Sequence, residues 1–355
     1  MHKNNFDFLR LIFAIFVIIT HLKPLSLRQE GDWLMTLTDD QLCFSYLGVR
    51  GFFIISGFLI FQSLQRSKNL LDYFWKRILR LFPALFFVLA LTLLLGPIWY
   101  NTAVGGPYLQ NPTVLSYFPR NFTLLLPQLA IKGFFEGNPK PGTVNGSLWT
   151  IGYEFACYAA LAAMYFFRRR ATLVKAMLGS IWVLLFVLNI FFIEHLKGVG
   201  IFLNADNLVE LGIFFVGGSL LAAFQFEQFR YAGYAAAAAA LILSIALSTH
   251  VYGFGFHFVF LPLLVIGFGT RSTQGLNRIG EKVGDLSYGI YLYSFPVMQI
   301  LIYCYRPGEL TLLISSTLVS AILAFASWHL VEKRALRLKT FQPWNRLFKK
   351  QNSPN

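Results

Sequence analysis

The sequence predicts an all-α, polytopic membrane protein of about ten transmembrane helices, with both termini cytoplasmic. Three observations carry this. First, 56% of the 355 residues are hydrophobic and only 13% are charged, against about 25% charged in a typical soluble domain. Second, runs of the roughly 17–25 apolar residues that a helix needs to cross a bilayer recur ten times, over 7–26, 44–64, 81–100, 147–167, 176–194, 207–225, 232–249, 254–270, 285–305 and 310–331. Third, with the amino terminus inside, 22 of the 30 Lys and Arg fall in inside segments and seven outside, Arg50 lying within a span. That is the asymmetry of the positive-inside rule.

Taken in order, the first run is read as a retained span. Asp7 and Arg10 interrupt its start, and Lys23-Pro24 stands where a signal-peptide cleavage site would need small residues. A basic inside stretch follows the second run, and Pro83 marks the start of the third. Residues 101–146, rich in Gly, Pro and Asn, form a long external loop. Its apolar piece from Phe122 to Leu129 is too short to span, so a cap over the outer face is expected. Arg168-Arg169-Arg170 returns the chain to the inside. The alanine run 235–240 serves close helix packing in the seventh span. A basic tail over 336–355 ends the chain. No internal repeat of the kind found in many transporters is visible.

The net charge of +14 does not make a nucleic-acid binder, because the basic residues sit in short loops between apolar runs. Cys43, Cys157 and Cys304 stand far apart and are expected to be buried, inert thiols. No metal motif, P-loop, Rossmann glycine fingerprint or nucleophile elbow is present.

Ionisable residues at membrane depth are costly, so each is a functional candidate. Arg10 and His21 are eleven residues apart, which places them on one helix face about 16 Å apart along the axis. His21, Arg50 and Glu154 come from three spans and are expected at comparable depth in the outer half. A histidine, a carboxylate and a guanidinium at one height supply a base, its orienter and an anion stabiliser. The structural alternative is an Arg50–Glu154 ion pair beside a hydrogen-bonded His21. Arg77 and Arg80, with Arg10, would ring a cytoplasmic mouth suited to phosphates, or simply anchor the inside end. Ser56-Gly57 is either a packing notch or part of a tunnel wall. Trp149 is a weaker candidate, and His2, His195, His250, His257 and His329 are expected to be structural or solvated.

These residues fall into blocks that resemble the acyltransferase-3 family of integral membrane acyltransferases. FDFLRLIFAIFVIITH (6–21) carries a basic residue, ten intervening residues and a histidine. GVRGFFIISGFLI (48–60), DYFWKRILRLFP (72–83), SLWTIGYEFACY (147–158), GDLSYGIYLYSFPV (284–297) and SWHLVEKR (327–334) follow in the family's order. The resemblance covers about 5 to 335. Two positions depart from it: Arg50 stands where many members have an acid, and Ser294 where many have a histidine.

The resemblance implies transfer of an acyl group, usually acetyl, from acetyl-CoA or another acyl-CoA to a hydroxyl of a cell-surface or lipid-linked glycan outside the cytoplasm, with no metal. Residues 1–335 would be the transferase domain, in a bacterial cytoplasmic (inner) membrane. His21 is assigned as general base and Glu154 as its orienter. Arg10, Arg77 and Arg80 would bind the coenzyme, and Arg50, Ser56, Trp149 and Tyr288 are substrate or oxyanion candidates. The donor starts inside while His21 lies nearer the outside. Either the pantetheine arm threads inward or the acyl group is relayed through acyl-His21; the threaded arm needs no extra step. The rival readings are a transporter or flippase of a glycan or small molecule and a non-catalytic partner of an export complex.

Overall fold

The computed structural model describes residues 4–27, 29, 31–280 and 284–341; His2 and the tail beyond 341 lie outside the described residues. Each apolar run is helical: α1 Phe6–Ser26, α2 Phe44–Arg66, α3 Leu70–Leu95, α4 Trp149–Ala162, α5 Ala171–Val187, α6 Ala205–Ala223, α7 Ala232–Ser248, α8 Phe256–Gly269, α9 Ser287–Tyr305 and α10 Glu309–Ser327. Counting the tighter or wider turns that extend them, seven helices among the described residues are long and apolar enough to cross a membrane. Helices α7 and α8 are shorter apolar helices. Helix α9 is diluted by its buried Ser287, Ser294 and Gln299. The protein is an all-helical integral membrane protein.

Helix α2 is the centre of the bundle, with 61% of its most apolar window buried, against 11% for that of the peripheral α5. Small residues put it there. A side-chain carbon added at Gly57 would lie 1.9 Å from the Phe215 carbonyl oxygen, and one at Gly218 would lie 2.1 Å from that of Ile54. So α2 and α6 meet backbone to backbone, which glycine alone permits. The alanine face of α7 works the same way: Ala232, Ala236 and Ala239 are buried, and Gly267 of α8 lies against Ala236.

Helices α1 and α2 run antiparallel in a readable register. The rings of Phe6 and Phe58 are 5.6 Å apart and those of Phe13 and Phe52 are 5.9 Å apart, while the Ser45 backbone N–H donates to the Thr20 hydroxyl at 2.7 Å. One end of the bundle therefore holds Arg10 and the end of α2; the other holds His21 and the start of α2.

Helix α3 starts eleven residues before the third apolar run. The Asn69 side chain caps it by accepting the Asp72 N–H at 2.7 Å, so Arg77 and Arg80 lie inside the helix. The expected cap is present at the His21 end. It is built on buried asparagines, whose side chains meet backbone groups that no regular ladder serves. Asn121 donates to the Tyr117 and Gln128 carbonyls, at 2.8 and 2.9 Å. Asn138 and Asn145 tie the cap to α9 through the carbonyls of Gln299 and Leu292, each at 2.9 Å. Of the cysteines, only Cys157 is buried and Cys304 is exposed; the last turn of α9 projects from the bundle, where Tyr305 is exposed as well.

Candidate active site

A cavity of about 420 Å³ opens among α1, α2, α3, α4, α9 and the end of α10. It lies at the seam between two apolar clusters, one centred on α2, α6 and α8 and the other on α1, α3, α9 and the cap, with Phe52 and Tyr288 touching both. Along α2 its wall is one stripe, Val49, Phe52, Phe53, Ser56, Leu59, Ile60 and Ser63, the spacing that a 3.6-residue repeat puts on one face.

Its basic end gathers Arg10, Arg66, Lys76, Arg77, Arg80 and Lys339. Arg10, Arg77 and Arg80 come together as expected from the sequence. Asp285 joins them, accepting from Arg10 at 3.3 Å and from Arg80, and it is steadied by the Ser287 hydroxyl at 2.7 Å. Gly284 permits this approach: at φ +91°, a side-chain carbon there would lie 2.2 Å from the Trp328 indole nitrogen. Arg77 is held differently. It donates to the Ser63 hydroxyl at 3.2 Å, and its buried Nε has no hydrogen-bond partner among the described residues. Leu336 and Lys339 line the cavity, and the Trp75 indole donates to the Leu338 carbonyl at 3.0 Å. Residues 336–339 thus pack beside α3 at this end of the cavity.

The middle of the cavity carries Ser56 and Glu154. The Ser56 hydroxyl donates to the Glu154 carboxylate at 2.7 Å, and the Tyr158 hydroxyl also donates to it. Ser56 is therefore a wall residue, while its neighbour Gly57 is the packing notch. Tyr288 lines the cavity and donates to the Leu81 carbonyl at 3.0 Å. The far end is lined by Thr150 and Tyr291, whose hydroxyls are 2.7 Å apart, and by Phe52.

His21 lies beyond this end, its ring packed edge-on against Phe295 with centroids 5.1 Å apart. Phe295 also fills the space beside Gly146, just before α4. Glu154 is eight residues further along from Gly146, or about 12 Å at helical rise. The expectation that His21, Arg50 and Glu154 share one height is therefore corrected, and with it Glu154 as the orienter of His21. Equal counting from the span ends misleads because α1, α2 and α4 enter the bundle at different levels.

Arg50 is corrected as well. It pairs with Glu210 of α6 and lies 3.9 Å over the Tyr46 ring, so neither the Arg50–Glu154 pair nor an oxyanion role beside Ser56 is seen. Six residues separate Arg50 from Ser56, which at 100° per residue points them to different faces of α2. Trp149 packs edge-on against Tyr153 at 5.7 Å and is not among the residues that line the cavity. Ser294 is buried, 3.4 Å from the Tyr291 carbonyl. His257 stacks on Tyr252 and meets its carbonyl at 3.0 Å, and His329 meets the Phe325 carbonyl at 3.0 Å. Sequence reasoning missed Asp285, Arg66 and Lys339. An acid at an otherwise basic end was the available signal for Asp285; the other two are placed by tertiary packing.

A channel with cations at one end, hydroxyls and a carboxylate along its wall and a histidine beyond suits an extended, anion-headed ligand. The chain is 28% identical over 357 residues to a protein of Shigella phage Sf6 named "O-acetyl transferase", covering 95% of this chain and 97% of that one. It is 30% identical over 377 residues to "Nodulation protein 10" of Rhizobium leguminosarum bv. viciae, covering 96% and 95%. No solved structure matches. The family model described as "Acyltransferase domain" matches residues 3–329, and the chain belongs to this acyltransferase-3 family of membrane proteins.

Proposed function

We propose that the protein is an O-acetyltransferase of a bacterial inner membrane. It moves an acetyl group from acetyl-CoA to a hydroxyl of a glycan outside the cytoplasm, and its basic end and both termini face the cytoplasm. The observation that carries this is the channel itself, which leads from the Arg10, Arg77 and Arg80 cluster to the wall in front of His21. Phosphates seat on the guanidiniums, and the pantetheine arm lies along the α2 stripe. Glu154 has acceptor capacity to spare for an amide N–H of that arm. The thioester then reaches the Thr150–Tyr291 end. Where the Phe52, Thr150 and Tyr291 side chains part, His21 takes the proton of the acceptor hydroxyl as its oxygen attacks the thioester carbonyl carbon, and the coenzyme thiolate leaves and is protonated. Transfer is direct, since a threaded arm spans the distance without a relay.

The test is incubation of the purified chain with radiolabelled acetyl-CoA and a panel of cell-envelope glycans. Acceptor-dependent label transfer is expected, reduced at least about a hundredfold in a folded His21→Ala variant, the usual scale for a lost general base. Without acceptor, label that stays on denatured protein only when His21 is present would overturn direct transfer. Transport of a glycan with no acylation would overturn the enzyme reading.

A further inference from the structure

A second cavity, of about 710 Å³, lies at the same end of the bundle on the other side of α2, between α1, α5, α6 and α8. Its lining differs in kind from that of the first. The deep part is apolar, with Phe6, Phe58 and Phe61, while the rim carries the carboxamides of Gln62, Gln65, Gln225 and Gln228. Gln62 is engaged, donating to Glu227 at 2.9 Å. The other three make no side-chain hydrogen bond among the described residues. Arg168 also lines the cavity; its guanidinium is stacked 3.6 Å over Tyr165, which orients it and leaves donors to spare. Leu59 and Arg66 border both cavities, so one bound molecule can cross the end of α2.

Gln225 is the informative residue. It follows the last turn of α6 in the left-handed region, at φ +56°, a place where glycine is the usual residue because other side chains are strained there. A glutamine at that position is disfavoured by the backbone, and it puts a carboxamide on the cavity rim.

We propose that the second cavity seats the adenosine 3′-phosphate of the coenzyme A donor. The inference rests on the acyl-CoA reading above and adds where the nucleotide lies. The adenine ring stacks toward the apolar floor, and its amino group and ring nitrogens are met by carboxamides, which both donate and accept. The diphosphate crosses the end of α2 from Arg66 toward the Arg77 and Arg80 guanidiniums of the first cavity, and the 3′-phosphate meets Arg168. The pantetheine arm then enters the first cavity.

The test compares binding of coenzyme A with binding of 4′-phosphopantetheine, which lacks the nucleotide, to the full chain in detergent by calorimetry. The wild type is expected to bind coenzyme A more tightly. Gln225→Gly suits the backbone better than the native residue and should melt no lower, yet the variant, combined with Gln228→Ala, should raise the coenzyme A Kd about tenfold relative to that for phosphopantetheine. Equal changes for both ligands, or none, would overturn the nucleotide site and leave the donor reading standing. No binding of either ligand to the wild type would bring down the donor reading and this inference together. In a second arm, adenosine 3′,5′-bisphosphate is expected to slow maleimide labelling of Gln228→Cys about tenfold; slowing only by phosphatidylglycerol vesicles would make the cavity a lipid site and overturn the proposal.

Discussion

Arg77 and Arg80 sit one turn apart on α3 and line the same cavity, but their partners make them different experiments. Arg80 holds Asp285 together with Arg10. Removing it leaves a largely buried carboxylate with one cation, a loss of about 1–3 kcal/mol when Arg10 remains. Arg77 has no carboxylate within ion-pair distance among the described residues, only Ser63 and the rings of Tyr73 and Tyr158. Of these two arginines, Arg77 is the one whose charge is left for a ligand. Arg77→Ala should therefore raise KM for acetyl-CoA about tenfold, or about 1.4 kcal/mol, with little change in melting temperature. Arg80→Ala should lower the melting temperature in detergent. Equal melting of the two variants would contradict this division. The motif at 72–83 showed both arginines; it could not show that one of them is already spent on an acid two hundred residues away.

At the scale of elements, the α2–α6 contact fixes the wall between the two cavities. Gly218 faces the Ile54 carbonyl so closely that any side chain must push backbone, which neither helix can yield. Gly218→Leu is expected to destabilise by about 1–3 kcal/mol or more through overpacking. A control lies on the same helix. At Gly212 an added carbon meets only Leu185 Cδ1 at 3.7 Å, an ordinary contact, so Gly212→Ala should melt at or slightly above the wild-type temperature. Melting curves of the purified variants decide it, and loss in both would place the cause in helix composition rather than in the close approach. Hydropathy located these helices but misjudged where α3 begins. Its first three turns carry their charges toward the cavity and its mouth, which an average over all faces cannot see.

For the whole molecule, the two ends are chemically unlike, with cations around both cavities at one and an asparagine-tied cap at the other. The proposed orientation puts the basic end in the cytoplasm, in keeping with the charge asymmetry read from the sequence. Single cysteines in an otherwise cysteine-free chain test it. An exposed Leu109→Cys in the cap should react with a membrane-impermeant maleimide in intact cells. Arg334→Cys, just after α10, should react only once the cells are permeabilised. The reverse pattern would invert the topology and remove the basis for a cytoplasmic donor entering at Arg10, Arg77 and Arg80.

The sequence by itself determined the helical class, the ten apolar segments, the basic cluster of Arg10, Arg77 and Arg80, and the blocks that place the chain in its family. These are local or compositional properties: a bilayer demands long apolar helices, and charges near their ends are read from the chain directly. Only the tertiary structure decided which polar groups meet. It turned Arg50 toward Glu210 and Glu154 toward Ser56 and Tyr158, brought Asp285 to the arginines, and set His21 against Phe295 rather than in the cavity lining. Helix rise and angle locate a residue on its own helix, but the offsets and rotations between helices come from packing of small against large residues across the bundle. Those offsets have no sequence-local signal, and they are what separates a shared height on paper from a shared site.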